Sequence, residues 1–382
     1  MNPRLAERVH TRLADIHARG LTRTLQPPHG IDLSSNDYLG LANHPRITRA
    51  FVDAVEREGV GSTGSRLLRG HRASFAAVED RFARFKDTPR ALYFSSGYLA
   101  NLGVISTFAE RDDLVVSDER NHASLIDGIR LSSARREIVP HNDVAAVRRA
   151  VEAAPAAAEK FVVVESLFSM DGDEAPLADL AAVCKKTGAH LIVDEAHAVG
   201  VYGARGSGLV EQHGIAEEVF LSINTAGKAL GVAGAFVCGP APAIDYLVQR
   251  ARPFIFSTAP PPVLAAALEA SLDIIQDEPQ RRMLLLERAA RLRGRLLASA
   301  VPVVSGTSHI VPVVIGENGA AVAVADALQA DGFDVRAIRP PTVAAGTARL
   351  RLSVNVNLTD AAIERFVTSL VLAIDRCSAV SL

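Results

Sequence analysis

Lys228 stands in Asn224-Thr225-Ala226-Gly227-Lys228-Ala229-Leu230-Gly231, between the apolar runs Val219-Phe220-Leu221 and Gly234-Ala235-Phe236-Val237. An ammonium among small and apolar residues is costly to desolvate, which favours the neutral amine, a nucleophile able to form an imine. Gly227 and Gly231 on either side leave room for a bulky planar group to approach the backbone. Taken alone, a lysine at a strand end more often snorkels to water. The other four lysines have surface explanations: Lys86 ends a charged helical stretch, Lys160 precedes Phe161-Val162-Val163-Val164, and Lys185-Lys186 close a helix before Gly188.

Three further groups lie where strands should end. Asp194-Glu195-Ala196-His197 follows Leu191-Ile192-Val193. A carboxylate at the end of a buried strand needs a cation or donors. A protonated pyridine nitrogen would serve Asp194, and His197 could reach a neighbouring ring substituent. A metal is the rival partner for Asp, Glu and His, weakened by the absence of a second cluster. Ser95-Ser96-Gly97-Tyr98 follows the run ending at Phe94 and opens a helix, so its backbone N–H groups could hold an anion; helix capping by serine is the plainer role. His122, after the run around Val116, could stack on a ring or be structural. The glycine-rich stretches match neither a G-x-G-x-x-G dinucleotide motif nor a P-loop, since Ser222 and Ala229 occupy two of the positions a P-loop prescribes. An imine-forming lysine, an aspartate for a pyridinium and a helix start for a phosphate are together what pyridoxal phosphate requires.

The elements that must position these residues follow from the apolar patterning. Runs at 91–94, 114–116, 161–164, 190–193, 219–223 and 235–237 alternate with helical stretches such as the one carrying Val144, Val147 and Val151. Strands apolar throughout and separated by helices predict an α/β fold with a mostly parallel sheet covered on both faces. Such sheets bind ligands at the carboxyl ends of their strands. Leu5, Val9, Leu13 and Ile16 predict an amphipathic first helix ending near Gly20. After a helix carrying Leu264, Leu268, Leu272 and Ile275, the chain changes character. A long Arg- and Leu-rich helix, strands at 310–315, 333–338 and 349–354, and helices at 320–330 and 360–374 predict a small α+β domain. The expected division is an N-terminal helix and arm at 1–45, a large domain at 46–281 and a small C-terminal domain at 282–382.

Composition narrows the function classes. The 382 residues are 48% hydrophobic and 22% charged with a net charge of −2, which gives no electrostatic case for nucleic acid or an anionic membrane. Three widely spaced cysteines suit neither a disulfide framework nor a zinc site, and fit reduced thiols in a cytoplasm. No segment approaches a membrane span, and 1–20 lacks the apolar core of a signal peptide.

Over 21–372 the sequence resembles the α-oxoamine synthases, a family of fold-type I pyridoxal-phosphate enzymes. The matching segments are Ser34-Ser35-Asn36-Asp37-Tyr38-Leu39-Gly40-Leu41, Gly61-Ser62-Thr63-Gly64-Ser65-Arg66, Ser96-Gly97-Tyr98-Leu99-Ala100-Asn101 and Asn121-His122-Ala123-Ser124, then Ser169-Met170-Asp171-Gly172-Asp173-Glu174-Ala175-Pro176, Asp194-Glu195-Ala196-His197 and Thr225-Ala226-Gly227-Lys228. Ile338-Arg339-Pro340-Pro341-Thr342-Val343 is similar to the biotin-pathway branch rather than to glycine-using relatives, with departures at Ala344 and Leu358. The resemblance implies a fold-type I transferase that condenses L-alanine with a pimeloyl thioester, on coenzyme A or a carrier protein, with loss of carbon dioxide. It implies that Lys228 carries the imine and moves the α-proton, that His122 stacks on the ring, and that Asp194 keeps the ring nitrogen protonated. It implies that His197 and Ser169 meet the side bearing the phenolic oxygen, and that Gly97, Tyr98 and Thr225 hold the phosphate. Arg23, Asn36, His122, Thr342 and Arg351 would surround the substrate, Arg351 clamping the amino-acid carboxylate. Ser257-Thr258 resembles the segment that reaches the neighbouring subunit's cofactor, which implies a homodimer with shared sites. A sister synthase using glycine, serine or another acyl chain would share every catalytic residue.

Overall fold

Runs of Val, Ile, Leu and Phe without a polar face are stable as strands only when both sides are covered. The computed structural model describes residues 1–380 and contains twelve strands among them. In chain order they are β1 (Ile31–Asp32), β2 (Arg90–Phe94), β3 (Leu114–Asp118), β4 (Arg135–Val139), β5 (Lys160–Glu165), β6 (His190–Asp194), β7 (Val219–Thr225), β8 (Ala235–Gly239), β9 (Ile310–Gly316), β10 (Phe333–Asp334), β11 (Ala337–Ile338) and β12 (Ala348–Ser353). The chain divides into two compact units. One comprises Asn36–Ser169 and Asp173–Leu284; the other comprises Met1–Ser35, Met170–Gly172 and the chain from Leu285 onward.

The first unit is built on a seven-stranded sheet in the order β2-β8-β7-β6-β5-β3-β4. Its pairs are parallel from β7 through β4, and only β8 runs against its neighbours. Alternate side chains serve opposite faces. Phe161, Val163, Ile192, Leu221, Ile223 and Val237 face a cluster with Val104, Ile105, Leu125 and Leu247 from the helices Gly97–Phe108, Ala123–Ser132 and Ala241–Arg250. On the sheet's other side, Phe82 of the helix Ala73–Lys86 stacks on Phe236 with ring centroids 3.9 Å apart. Each fully buried Leu, Ile or Phe contributes roughly 1.5–3 kcal/mol, so the packing fixes the strand ends that carry the chemistry.

Strand β4 carries Arg135, Arg136 and Glu137 and was absent from the apolar patterning. It is an edge strand with its first four residues exposed, so charge protects its open side and no apolar run marks it. The surface placement expected for Lys86 is also overturned. Lys86 is buried, ion-paired to the fully buried Glu195 and bonded to the Ser207 carbonyl. The charges along its helix hide a buried face of Phe75, Val78, Phe82 and Phe85, and Lys86 lies on that face. Glu195 also accepts from Val210 N at 3.0 Å. Stranding either charge would cost about 3–5 kcal/mol, so the pair pins the loop that starts at Asp194.

In the second unit, β11, β12 and β9 form an antiparallel sheet, and β1 pairs with β10. The extended run at 333–338 therefore serves two sheets. The helix Asn318–Ala330 packs on β9 through β12. The first helix, Pro3–Ala18, buries none of its residues. Among the described residues no helix is long and apolar enough to cross a membrane.

Candidate active site

The carboxyl ends of neighbouring parallel strands carry polar residues in a row: Asp118 on β3, Glu165 on β5, Asp194 on β6 and Thr225 on β7. β7 ends at Thr225, and the turn that returns the chain to β8 holds Lys228 half-buried. Its Nζ lies 2.7 Å from His197 Nε2, and His197 is buried in the loop after β6. The opposite ring nitrogen, Nδ1, is 2.7 Å from the Tyr38 hydroxyl, which donates to Asn36 Oδ1 at 2.9 Å. A directional chain results: Nδ1–H gives to Tyr38, and the Nε2 lone pair receives from Lys228. Gly227 faces open space, as the approach of a planar group requires. Gly231 serves a different purpose from the one its position suggested. At φ +68 it lets Leu41 and Ala42 pack against it, and a Cβ would stand 2.6 Å from Ala42 N.

Asp194 is 5% exposed and accepts from Asn101 Nδ2 at 2.7 Å and Ala196 N at 2.9 Å. It has no ion-pair partner among the described residues, so a buried carboxylate is left short of a cation. Glu195, the second acid of the same run, points to Lys86 instead, which removes one of the three ligands a metal site here would have needed. Asn101 also donates to Ser124 Oγ at 2.8 Å, and Ser124 Oγ lies 2.8 Å from His122 Nδ1. His122 caps the helix Ala123–Ser132, its Nδ1 accepting from Ser124 N at 3.2 Å. With Nδ1 an acceptor, the ring is neutral. Partial burial holds its pKa below the ordinary histidine value, the Asp194 charge opposes that, and Lys228 adds to it.

The helix Gly97–Phe108 starts after β2 with Ser96 as its cap, Ser96 Oγ accepting from Leu99 N at 3.2 Å. The preceding amides, of Gly97 and Tyr98, have no carbonyl to reach within the helix. A Cβ on Gly97 would sit 3.4 Å from Thr225 Oγ1, so the glycine and the buried threonine form one cradle. Thr225 itself donates to the Gly234 carbonyl at 3.3 Å. The Tyr98 side chain turns outward and donates to Asp127. Donors at a helix start beside a hydroxyl, a buried carboxylate lacking a cation and a lysine with open space beside it suit a phosphorylated pyridine aldehyde.

Ser169 is buried at the end of its segment. Nearby, Glu165 is fully enclosed and in register with Asp194, and its Oε1 meets no hydrogen-bond partner among the described residues. Burial, then the Asp194 charge, pushes Glu165 up to about 8, against the pull of Lys228. Thr258 is exposed on a stretch held by the Gly61–Arg66 segment, through Ala259 N to the Gly64 carbonyl at 2.9 Å. The remaining candidates belong to the other unit. Arg23 and Thr342 are exposed and line one cavity of about 460 Å³ with Gln26, Arg336 and Arg339. Arg351 is buried on β12, donating to Ser353 Oγ at 2.7 Å.

Tyr38, Asn101, Ser124 and Glu165 had no assigned role in the sequence. The first three lie inside segments that carried the family resemblance, which was the available signal; nothing marked Glu165.

The chain belongs to the class I and II aminotransferase family, whose profile matches residues 28–370, and its fold is that of the fold-type I pyridoxal-phosphate enzymes. It is 44% identical over 382 aligned positions to an 8-amino-7-oxononanoate synthase of Burkholderia thailandensis, covering 95% of this chain and 97% of that protein. A protein of the same description from Burkholderia pseudomallei is 46% identical over 362 positions, covering 90% and 92%. Among solved structures, a serine palmitoyltransferase from Sphingomonas wittichii superposes with a TM-score of 0.89 at 32% identity, covering 99% of this chain and 98% of that one. An 8-amino-7-oxononanoate synthase from Francisella tularensis superposes with a TM-score of 0.79 at 28% identity, covering 92% and 99%.

Proposed function

We propose that the chain is a pyridoxal-phosphate-dependent acyltransferase that joins L-alanine to a pimeloyl thioester, releasing the thiol and carbon dioxide and leaving 8-amino-7-oxononanoate, a step of biotin synthesis. The observation that carries the site is the buried, cation-poor Asp194 linked through Asn101 and Ser124 to His122, with Lys228 on the neighbouring strand end. The identity of 44% over nearly the whole chain supports the oxononanoate reaction among its relatives.

When bound, pyridoxal phosphate supplies an aldehyde carbon for amines and a conjugated ring that accepts the negative charge left at an amino acid's α-carbon. The chain's own groups do the rest. Asp194 keeps a proton on the ring nitrogen, and Asn101 holds the carboxylate in place. The amides of Gly97 and Tyr98 with the Thr225 hydroxyl take the phosphate. The neutral His122 ring covers one face. Arg351 binds the amino-acid carboxylate in a two-point contact. Lys228 Nζ takes the α-proton and returns it after decarboxylation, as a general base then acid. The freed carbon bonds to the thioester carbonyl, the thiolate leaves, and the carboxylate departs as carbon dioxide. Arg23, Asn36 and Thr342 contact the acyl donor. Thr258 reaches the cofactor of a second subunit in a homodimer, and the enzyme works in the cytoplasm.

The superposition on serine palmitoyltransferases keeps a second reading open, in which serine replaces alanine. Thiol release from pimeloyl-CoA decides between them. Release that requires L-alanine, is at least tenfold slower with glycine or L-serine, and falls by three or more orders of magnitude in Lys228→Ala supports the first. Release that prefers L-serine supports the second.

A further inference from the structure

We propose that Tyr38 is a positioning residue that sets which ring nitrogen of His197 carries the proton, and thereby whether Nε2 receives or gives a hydrogen bond beside Lys228. The inference rests on the reading of this site as a pyridoxal-phosphate pocket. Tyr38 is 0% exposed, one of the largest wholly enclosed side chains in the molecule, and its hydroxyl lies between two groups. Asn36 Oδ1 is 2.9 Å away and His197 Nδ1 is 2.7 Å away. A phenol has one proton and can also accept, so it can give that proton to Asn36 Oδ1 while receiving Nδ1–H, or give it to Nδ1 once the Asn36 amide turns to offer its Nδ2–H.

With its proton on Asn36, the hydroxyl receives Nδ1–H, and Nε2 is left as the acceptor that Lys228 Nζ meets at 2.7 Å. With its proton turned to Nδ1, the tautomer reverses and Nε2 becomes a donor. The first state suits a lysine amine that needs an acceptor. The second suits an anionic oxygen, such as the phenolate of the proposed cofactor. The change needs rotation of one hydroxyl, a turn of the Asn36 amide that presents Nδ2 in place of Oδ1, and transfer of the imidazole proton from Nδ1 to Nε2. His197 is itself 4% exposed, so water is poorly placed to substitute for the tyrosine. The resemblance gave His197 a cofactor contact and gave Tyr38 no role; the geometry makes the histidine's donor or acceptor character depend on the tyrosine.

Tyr38→Phe keeps the ring and its packing and removes only the oxygen. The test is a pH titration of the visible absorption of the pyridoxal-phosphate-loaded protein, with cofactor affinity measured alongside, in wild type, Tyr38→Phe, His197→Asn and the double variant. The expected result is a midpoint displaced by about half a pH unit or more and binding weakened about fivefold. The expected displacement vanishes in the His197→Asn background, because Tyr38 acts through that ring. Asn36→Leu, which removes the competing acceptor, is expected to move the midpoint the other way. An unchanged midpoint in Tyr38→Phe, or a displacement that persists without His197, overturns the assignment while leaving the pocket intact. Wild-type protein that takes up no pyridoxal phosphate overturns both the assignment and the reading beneath it.

Discussion

Glu165 and Asp194 show how two acids on adjacent strand ends come to differ. Asp194 accepts from two donors, whereas Glu165 is sealed in beside it with its Oε1 unbonded among the described residues. In the folded chain Glu165 keeps its proton up to about 8, whereas an unfolded chain loses it from 4.5. Between those values the folded state binds more protons, so this group lowers stability as pH rises from 4.5 toward 8. Glu165→Gln reproduces the protonated acid. In the cofactor-free protein it is expected to raise the melting temperature by a few degrees at pH 8 and to leave it nearly unchanged at pH 5. Thermal melts at both values check this; equal effects at the two would mean that Glu165 is ionised throughout. At this scale the sequence was legible where a residue type announces its chemistry. Lys228, Asp194 and His197 were expected at strand ends, and the structure places them at or just past the ends of β6 and β7. Tyr38, Asn101 and Ser124 could not be singled out by type, because they act by holding another side chain across long separations. Lys86 misled because a buried ion pair and a surface lysine look alike until the partner is known.

At the scale of elements, the loops between strand ends carry the site and need fixing. His141, after β4, binds Asp118 Oδ1 at 2.9 Å and Asp173 Oδ2 at 2.6 Å, tying the end of β3 to Asp173 in the same unit. Burial alone would lower this imidazole, but the two carboxylates overcome it and raise its pKa to about 9 from 6.5. The contribution is therefore fully present below pH 6.5 and is lost as pH rises through about 9, and it is on the order of 3 kcal/mol. His141→Gln is expected to lower the unfolding free energy by roughly that amount at pH 6 and by much less at pH 10, which denaturant titrations at the two values measure. A pH-independent loss would assign His141 to packing against Phe168, which its ring meets edge-on at 4.4 Å. The strands of the large sheet were legible because burial on both faces leaves no polar positions in them. β4 was not, since an edge strand keeps its charges, and β10 and β11 were merged because two-residue strands carry no period.

At the scale of the whole molecule, the proposed homodimer would bring a second copy of the chain against this one. Leu67, Leu68 and Phe256 are exposed by 51%, 84% and 71%, on the same unit as Thr258. Large apolar groups left in water are the surface a dimer would cover. The family and fold were legible in the sequence because matching segments are spread along the chain, several of them just past strand ends. The substrate was less legible, because its proposed contacts lie on exposed segments such as those of Arg23 and Thr342 that no packing constraint defines. Whether Lys228 is the lysine that holds the cofactor can be read from a single labelling experiment. The pyridoxal-phosphate-loaded protein is reduced with borohydride, digested, and its peptides weighed. The expected result is one phosphopyridoxyl group per chain, on the peptide containing Lys228. Modification at Lys86, Lys160, Lys185 or Lys186 instead, or none at all, would contradict it.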